Sequence, residues 1–230
     1  MEIANFGPSL EAAQELTIFM HGFPGLRSKQ NEELAQICAR ENQAPVQLLF
    51  YSGLSRAGGT FSFSSCFEEV VSYFSQLLAT HPSLHVKLVG HSWGGYLSLM
   101  IASRFPERIK KLVLISPLLK FASAEVAAES FTQTALQNPQ LKLIAPPELA
   151  KDFAMVGSAL SADRMVTQLS PELDVLFLQS REDAITPAIF ATELVAKFPK
   201  TPRYEIVEND HSFLADRPQL GAKIAKFLRG

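Results

Sequence analysis

Ser92 has a glycine two places before it and two places after it, in Val89-Gly90-His91-Ser92-Trp93-Gly94-Gly95. The short apolar run Val86 to Val89 reads as a buried strand, and from Leu97 the spacing turns helical, with Leu97, Met100, Ile101 and Phe105 on one face. A serine at so sharp a strand-to-helix turn needs small neighbours, because flanking side chains would collide. The turn lifts the hydroxyl above the sheet edge, and the helix start behind it offers backbone N–H groups to a developing negative charge. Such a serine suits nucleophilic attack. A hydroxyl is a weak nucleophile at neutral pH, however, and needs a base, usually histidine, oriented in turn by a carboxylate.

Strands and helices that could bring those groups together alternate along the chain. Short apolar runs predict strands at Leu16–Met20, Val46–Tyr51, Val86–Val89, Leu112–Ser116, Val175–Gln179 and Arg203–Val207, and a further short one fits around Glu2 to Phe6. Helices are expected from Ser28 to about Gln43, from Ser65 with Glu68 completing a capping box, and from Leu97 to Phe105-Pro106. Two more are expected after Thr186-Pro187, with the threonine hydroxyl as cap, and from about Asp216-Arg217-Pro218. Residues 117–172 break the rhythm, with helical fragments near Ser123–Leu136, Pro147–Met155 and Ser161–Gln168 and no clear strand. The alternation predicts an α/β fold, a doubly wound and mostly parallel sheet flanked by helices, with functional groups at the carboxyl ends of the strands.

That rule sorts the five histidines. His81 and His85 flank a helix end and read as surface, while His91 sits beside Ser92 with its side chain directed away. His21 follows the first clear strand, within the loop His21-Gly22-Phe23-Pro24-Gly25, and is expected to brace that loop. Only His211 follows a late strand among small and polar neighbours. Asp183 follows the strand before it, with Glu182 and Asp210 as competing carboxylates.

The order Ser92, Asp183, His211 resembles the triad of the α/β-hydrolase family, and the likeness runs from about Leu16 to Leu228 apart from residues 117–172. His21 to Gly25 is similar to that family's oxyanion loop, Gly90 to Gly95 to its elbow, Ser180 to Pro187 to its acid loop, and Asn209 to Phe213 to its histidine loop. The resemblance implies a catalytic triad of Ser92, Asp183 and His211, with the backbone N–H groups of Phe23 and Trp93 as the oxyanion hole. It implies a core of residues 1–116 and 173–230, with 117–172 inserted as a small helical cap, and a sheet reduced at its N-terminal end. The implied chemistry is hydrolysis of an ester-type bond through an acyl-enzyme, with no cofactor. An aminopeptidase or amidase, a thioesterase, or a non-catalytic ligand-binding scaffold are the alternatives. A serine at the elbow disfavours a dehalogenase, which wants a carboxylate there.

Composition narrows the partners. A formal net charge of -2 gives no reason to expect nucleic acid, and no Lys/Arg run marks an anionic membrane surface. No stretch approaches the ~20 apolar residues needed to cross a bilayer, and the first fifteen residues do not read as a signal peptide. The two cysteines, Cys38 and Cys66, lie in separate predicted helices without metal-ligand spacing, as expected of reduced thiols in a cytoplasm. Zinc, phosphate-loop and dinucleotide signatures are absent from the sequence, so no metal is expected. Apolar residues crowd the segment 117–172, among them Phe121, Phe131, Leu149, Phe153 and Val156, which points to a small-molecule substrate with an apolar acyl group.

Overall fold

Two strands carry the centre of the sheet. β2 (Glu15–Met20) and β4 (His85–His91) pair in parallel from Glu15↔His85 to Met20↔Gly90. Their apolar side chains alternate between the two faces, so each strand feeds both halves of the core. The structure is a computed structural model of residues 1–230, and Ala12, Arg27, Ser55, Asp216 and the Ser28 side chain lie outside the described residues. The expected start of the last helix at Asp216 therefore falls outside them.

Around this pair the sheet has seven strands in the order β1-β3-β2-β4-β5-β6-β7. β3 (Val46–Phe50), β5 (Ile109–Ile115), β6 (Asp174–Ser180) and β7 (Arg203–Val207) run parallel to the centre. β1 (Glu2–Phe6) is the short strand suspected at the N-terminus, and it closes one edge antiparallel to β3. The chain leaves β2 for β3 on one side and returns to β4 on the other. That reversal is a topological switch point, and it leaves a crevice between the loops that follow β2 and β4. Those loops begin with His21 and Ser92.

Helices cover both faces. α1 (Ser28–Asn42) and α8 (Arg217–Arg229) pack on one side with Phe19, Leu48, Val89 and Val113. α2 (Phe63–Thr80) and α3 (Trp93–Arg104) pack on the other with Ile18, Leu88 and Leu112. Each such fully buried aliphatic side chain contributes roughly 1.5–3 kcal/mol of transfer free energy. Between β5 and β6 the chain forms α4 (Ala124–Gln137), α5 (Pro146–Ala159) and the short α6 (Ala162–Val166). They join the second layer through Phe131, Leu149, Phe153, Val156 and Met165. Backbone bonds from Phe61 N–H to Lys142 O (2.7 Å) and from Ile144 N–H to Phe61 O (3.1 Å) tie this segment to the loop after β3.

Three helix starts differ from expectation, and the first of them, α3, opens at Trp93 rather than Leu97, directly behind the elbow serine. α2 begins two residues early, capped by Ser62, whose hydroxyl accepts from Ser65 N–H while the Ser65 hydroxyl accepts from Ser62 N–H. The added turn is favoured because the Asp152 carboxylate of α5 accepts from the Phe63 and Ser64 N–H groups at 2.6 and 3.0 Å. α7 (Ala188–Val195) starts after Pro187, which is itself the cap residue, with no side-chain cap. The Thr186 hydroxyl is turned elsewhere, as described below.

Candidate active site

Ser92 stands between β4 and α3 with φ 54° and ψ -119°, a conformation that costs a side chain of order 1–3 kcal/mol unless its surroundings enforce it. Here they do. Ser92 N–H donates to Ile115 O at 3.0 Å, and Ser92 O accepts from Leu118 and Tyr96 N–H at 3.0 and 3.1 Å. The glycines are required by close approach. A Cβ at Gly90 would lie 2.3 Å from Gly94 O and Ser98 Oγ, and one at Gly94 only 2.0 Å from Met20 O. The turn thus brings α3 hard against the end of β2.

Asp183 follows β6, and its side chain is fully buried. Oδ1 accepts from the backbone N–H groups of Ile185 (3.0 Å) and Thr186 (2.7 Å), while Oδ2 accepts from the Thr186 hydroxyl at 2.7 Å. Oδ2 also meets His211 Nδ1 at 2.8 Å. Burial alone would raise the Asp183 carboxyl, but the bonds from His211 and from the backbone and hydroxyl of Thr186 outweigh it. They hold the group well below the usual carboxylate range. An ionised carboxylate only accepts, so Nδ1 of His211 carries the proton and Nε2 is left with its lone pair. The competing carboxylates point away: Glu182 and Asp210 are both exposed, and Asp210 accepts from Ser212 N–H at 2.9 Å.

The structure brings Asp183 and His211 together but does not complete the third contact. Among the described residues, Ser92 forms no hydrogen bond with His211. Ser92 and Trp93 line one cavity of about 310 Å³, His211 lines another of about 260 Å³, and Phe23, Pro24 and Ile185 border both. The expected oxyanion donors flank the serine. A Cβ on Gly22 would lie 2.9 Å from Ser92 Cβ, which places the Gly22-Phe23 backbone against it. Trp93 is the first residue of α3, and its N–H is one of the helix's unshared first-turn donors. Its ring is core: it stacks on Tyr96 at 5.1 Å, and its Nε1 donates to Cys66 Sγ at 3.4 Å.

Two further histidines serve the loops. His21 packs on Tyr51 at 4.4 Å between ring centroids, and its Nδ1 lies 2.8 Å from Gly22 O. A Cβ on Gly25 would come within 2.4 Å of that ring, so the loop folds directly over the histidine and glycine is needed there. Burial drives His21 down to about 4. His91 Nε2 lies 2.7 Å from His211 O and pins the histidine loop; burial, helped by His211, lowers it to about 3. Both rings are neutral at neutral pH and brace their loops as donors. His81 and His85 take no part, and Arg56 pairs with Glu2 and Glu32 at 2.6 and 3.0 Å rather than facing the crevice.

The reading from sequence gave two supporting residues no place in the site. Thr186 holds both oxygens of Asp183, and its hydroxyl also lies 3.3 Å from Ser116 O and 3.4 Å from His211 Nδ1. Gln179 donates to Thr186 O at 2.8 Å and to Ser116 Oγ at 3.3 Å, and reaches Asp183 Oδ2 at 3.5 Å. A glutamine directly after the apolar run Val175–Leu178, inside the strand, was the available signal, since a buried amide must find partners. Among the described residues no cluster of three His, Cys, Asp or Glu could hold a metal ion, and no helix is long and apolar enough to cross a membrane.

The family described as alpha/beta hydrolase fold matches residues 18–141, more than half of the chain, and the protein belongs to it. Among curated proteins the chain is 26% identical over 103 residues to "Ethanol acetyltransferase 1" of Cyberlindnera fabianii, covering 45% of this chain and 30% of that protein. It is also 26% identical over 149 residues to "Monoglyceride lipase homolog" of Monkeypox virus, covering 60% of this chain and 52% of that one. The chain therefore spans about half or less of these relatives. Among solved structures it is similar to Est1E from Butyrivibrio proteoclasticus with bound ferulic acid (TM-score 0.74, 14% identity, 99% of this chain and 93% of that chain). It is also similar to the Paleococcus ferrophilus monoacylglycerol lipase (TM-score 0.70, 18% identity, 99% and 96%). At such identities the structural likeness establishes the fold.

Proposed function

We propose that the protein cleaves a carboxylic ester by acyl transfer to water, with Ser92 as nucleophile, His211 as base and Asp183 as the acid that holds it. The observation that carries this reading is the 2.8 Å bond between Asp183 and His211 at the ends of adjacent strands, beside a serine held in a strained elbow. His211 Nε2 takes the Ser92 proton as Oγ attacks the ester carbonyl. The oxyanion is held by the N–H groups of Phe23 and Trp93. His211 then gives the proton to the leaving alcohol, and water repeats the cycle on the acyl-enzyme. Asp183 fixes the imidazole tautomer and stabilises its cation. The Ser92–His211 contact forms with substrate bound, as catalytic hydrogen bonds often tighten only then. The names of the curated relatives, an acetyltransferase and a lipase homolog, also concern acyl esters.

Residues 117–172 serve as a small cap over residues 1–116 and 173–230. Phe131 and Phe153, on α4 and α5, pack at a tilt against Phe63 with ring centroids 5.4 and 4.7 Å away, and all three line the cavity beside Ser92. An apolar acyl group of short to medium length fits there. Two buried thiols, free among the described residues and pushed up by burial, suit the reducing interior of a cytoplasm. Fluorophosphonate labelling followed by peptide mapping tests the assignment. Label is expected on Ser92 and none on a Ser92→Ala protein; equal labelling of both proteins refutes it.

A further inference from the structure

Both ends of α5 are fixed without help from the middle of the helix. Just before its start, Ile144 N–H donates to Phe61 O at 3.1 Å and ties the chain to the loop after β3. At its other end the Tyr96 hydroxyl, on α3 behind Ser92, donates to Leu160 O at 2.7 Å. Halfway along sits Asp152, a half-buried carboxylate whose Oδ2 accepts from Phe63 N–H at 2.6 Å and from Ser64 N–H at 3.0 Å. Among the described residues these are the only side-chain hydrogen bonds between α5 and α2.

The two donors are the ones that the cap of α2 does not reach. Ser62 Oγ takes Ser65 N–H at 3.1 Å, which leaves Phe63 and Ser64 N–H open at a helix start where negative charge is favoured. Hydrogen bonds to a carboxylate are short, strong and directional, so they fix a separation. Aromatic packing is non-directional by comparison and tolerates sliding. What Asp152 holds in register is informative. One partner is the backbone of Phe63, and the next residue along α5 is Phe153. Their rings lie 4.7 Å apart between centroids, and both line the cavity of about 310 Å³ beside Ser92. Asp152 itself does not line that cavity. Phe153 also meets Phe121 at 4.4 Å and Phe131 at 5.4 Å, so its position is felt by the other rings of the segment 117–172.

We propose that Asp152 is a positioning residue for substrate selection: by clasping the start of α2 it sets the separation of Phe63 and Phe153, and with it the longest acyl chain that the cavity admits. The inference rests on the esterase reading above and deepens it. Without the carboxylate, the first turn of α2 and the middle of α5 are released from each other while both ends of α5 stay anchored. The gap between the two rings then widens under a longer chain, and the chain buries methylenes that the wild type leaves in water.

The test is the acyl-length profile, which a merely structural role would not move. Rates on p-nitrophenyl acetate, butyrate, octanoate and decanoate are measured for wild type, Asp152→Asn and Asp152→Ala, with Tm recorded for each. In Asp152→Ala the octanoate-to-butyrate ratio of kcat/KM should rise about tenfold, what roughly two more buried methylenes give, and the rise should come from KM for octanoate rather than from kcat. Asp152→Asn keeps an acceptor but loses the charge, and should raise the ratio by about threefold; if Asp152→Ala does not fold, this variant decides alone. In a Phe153→Ala background Asp152→Ala should add less than about twofold, because the ring through which it acts is gone. Activity lost in equal proportion on all four esters, or a profile unchanged in the folded variants, overturns the proposal and leaves the esterase intact. A wild type without Ser92-dependent release of p-nitrophenol overturns the esterase reading itself.

Discussion

Acidification should destabilise this protein well before its carboxylates titrate, because His21 is folded in its neutral form. Its ring is 2% exposed, and burial lowers it from an ordinary value of 6.5 to about 4, opposed only by the bond to Gly22 O. Above pH 6.5 the ring is neutral folded and unfolded, and it adds no pH dependence. As the pH falls from there toward 4, the unfolded chain binds a proton that the folded chain refuses, so stability is lost through that window. Between pH 7 and pH 5 the difference in proton binding amounts to about 2 kcal/mol. His91, lowered to about 3 by burial, by His211 and by Arg217 against the pull of Asp183, acts in the same direction. Its ring borders the cavity that His211 lines, so solvent reduces its share, and the two together give between about 2 and about 4 kcal/mol. The assay is urea unfolding followed by Trp93 fluorescence at pH 7, 6 and 5, for wild type and His21→Gln. Glutamine keeps a donor for Gly22 O but does not titrate. The wild-type loss between pH 7 and pH 5 should shrink by about 2 kcal/mol in the variant. An undiminished loss in His21→Gln, or a wild type equally stable at both pH values, refutes the account.

Other expectations concern the site directly. Ser92→Ala should lower turnover on p-nitrophenyl esters by roughly four orders of magnitude or more with an unchanged circular dichroism spectrum; retained turnover would place the nucleophile elsewhere. Asp183→Asn should cost far more activity than Glu182→Gln or Asp210→Asn, since only Asp183 reaches His211, and steady-state kinetics on the three variants decides this. Thr186→Val removes a hydroxyl bond to a charged carboxylate, worth about 1.5–3 kcal/mol, so kcat should fall by roughly tenfold to a hundredfold with KM little changed. Thr186→Ser should restore it, whereas a variant with full kcat would reduce Thr186 to a packing role. Across p-nitrophenyl esters, kcat/KM should peak at short to medium acyl chains and fall for the longest. A steady rise to the longest chains would contradict the small aromatic-floored cavity.

The parts legible in the sequence are those decided by neighbours along the chain. Strands such as Leu16–Met20 and Leu112–Ser116 are largely apolar runs followed by histidine or proline, and the structure moves their ends by only one to three residues. The elbow was legible because close packing at Gly90 and Gly94 admits no side chain, so the motif itself records the geometry. The illegible parts depend on residues distant along the chain. The start of α2 depends on Asp152, 89 positions from Phe63, which no local pattern around Ser65 and Glu68 could announce. Thr186 shows the same effect inside the site. Read locally, Thr-Pro before a helix is a capping pair; in the fold the carboxylate of Asp183, three residues away, takes both its N–H and its hydroxyl. A charged acceptor outbids the helix end for the hydroxyl, because a hydrogen bond to a buried carboxylate is roughly twice as strong as one between neutral groups. The division of the crevice was hidden for a related reason. Asn31 lies on α1, 61 positions before Ser92, and it is the docking of α1 against α8 that brings it to the cavity that His211 also lines.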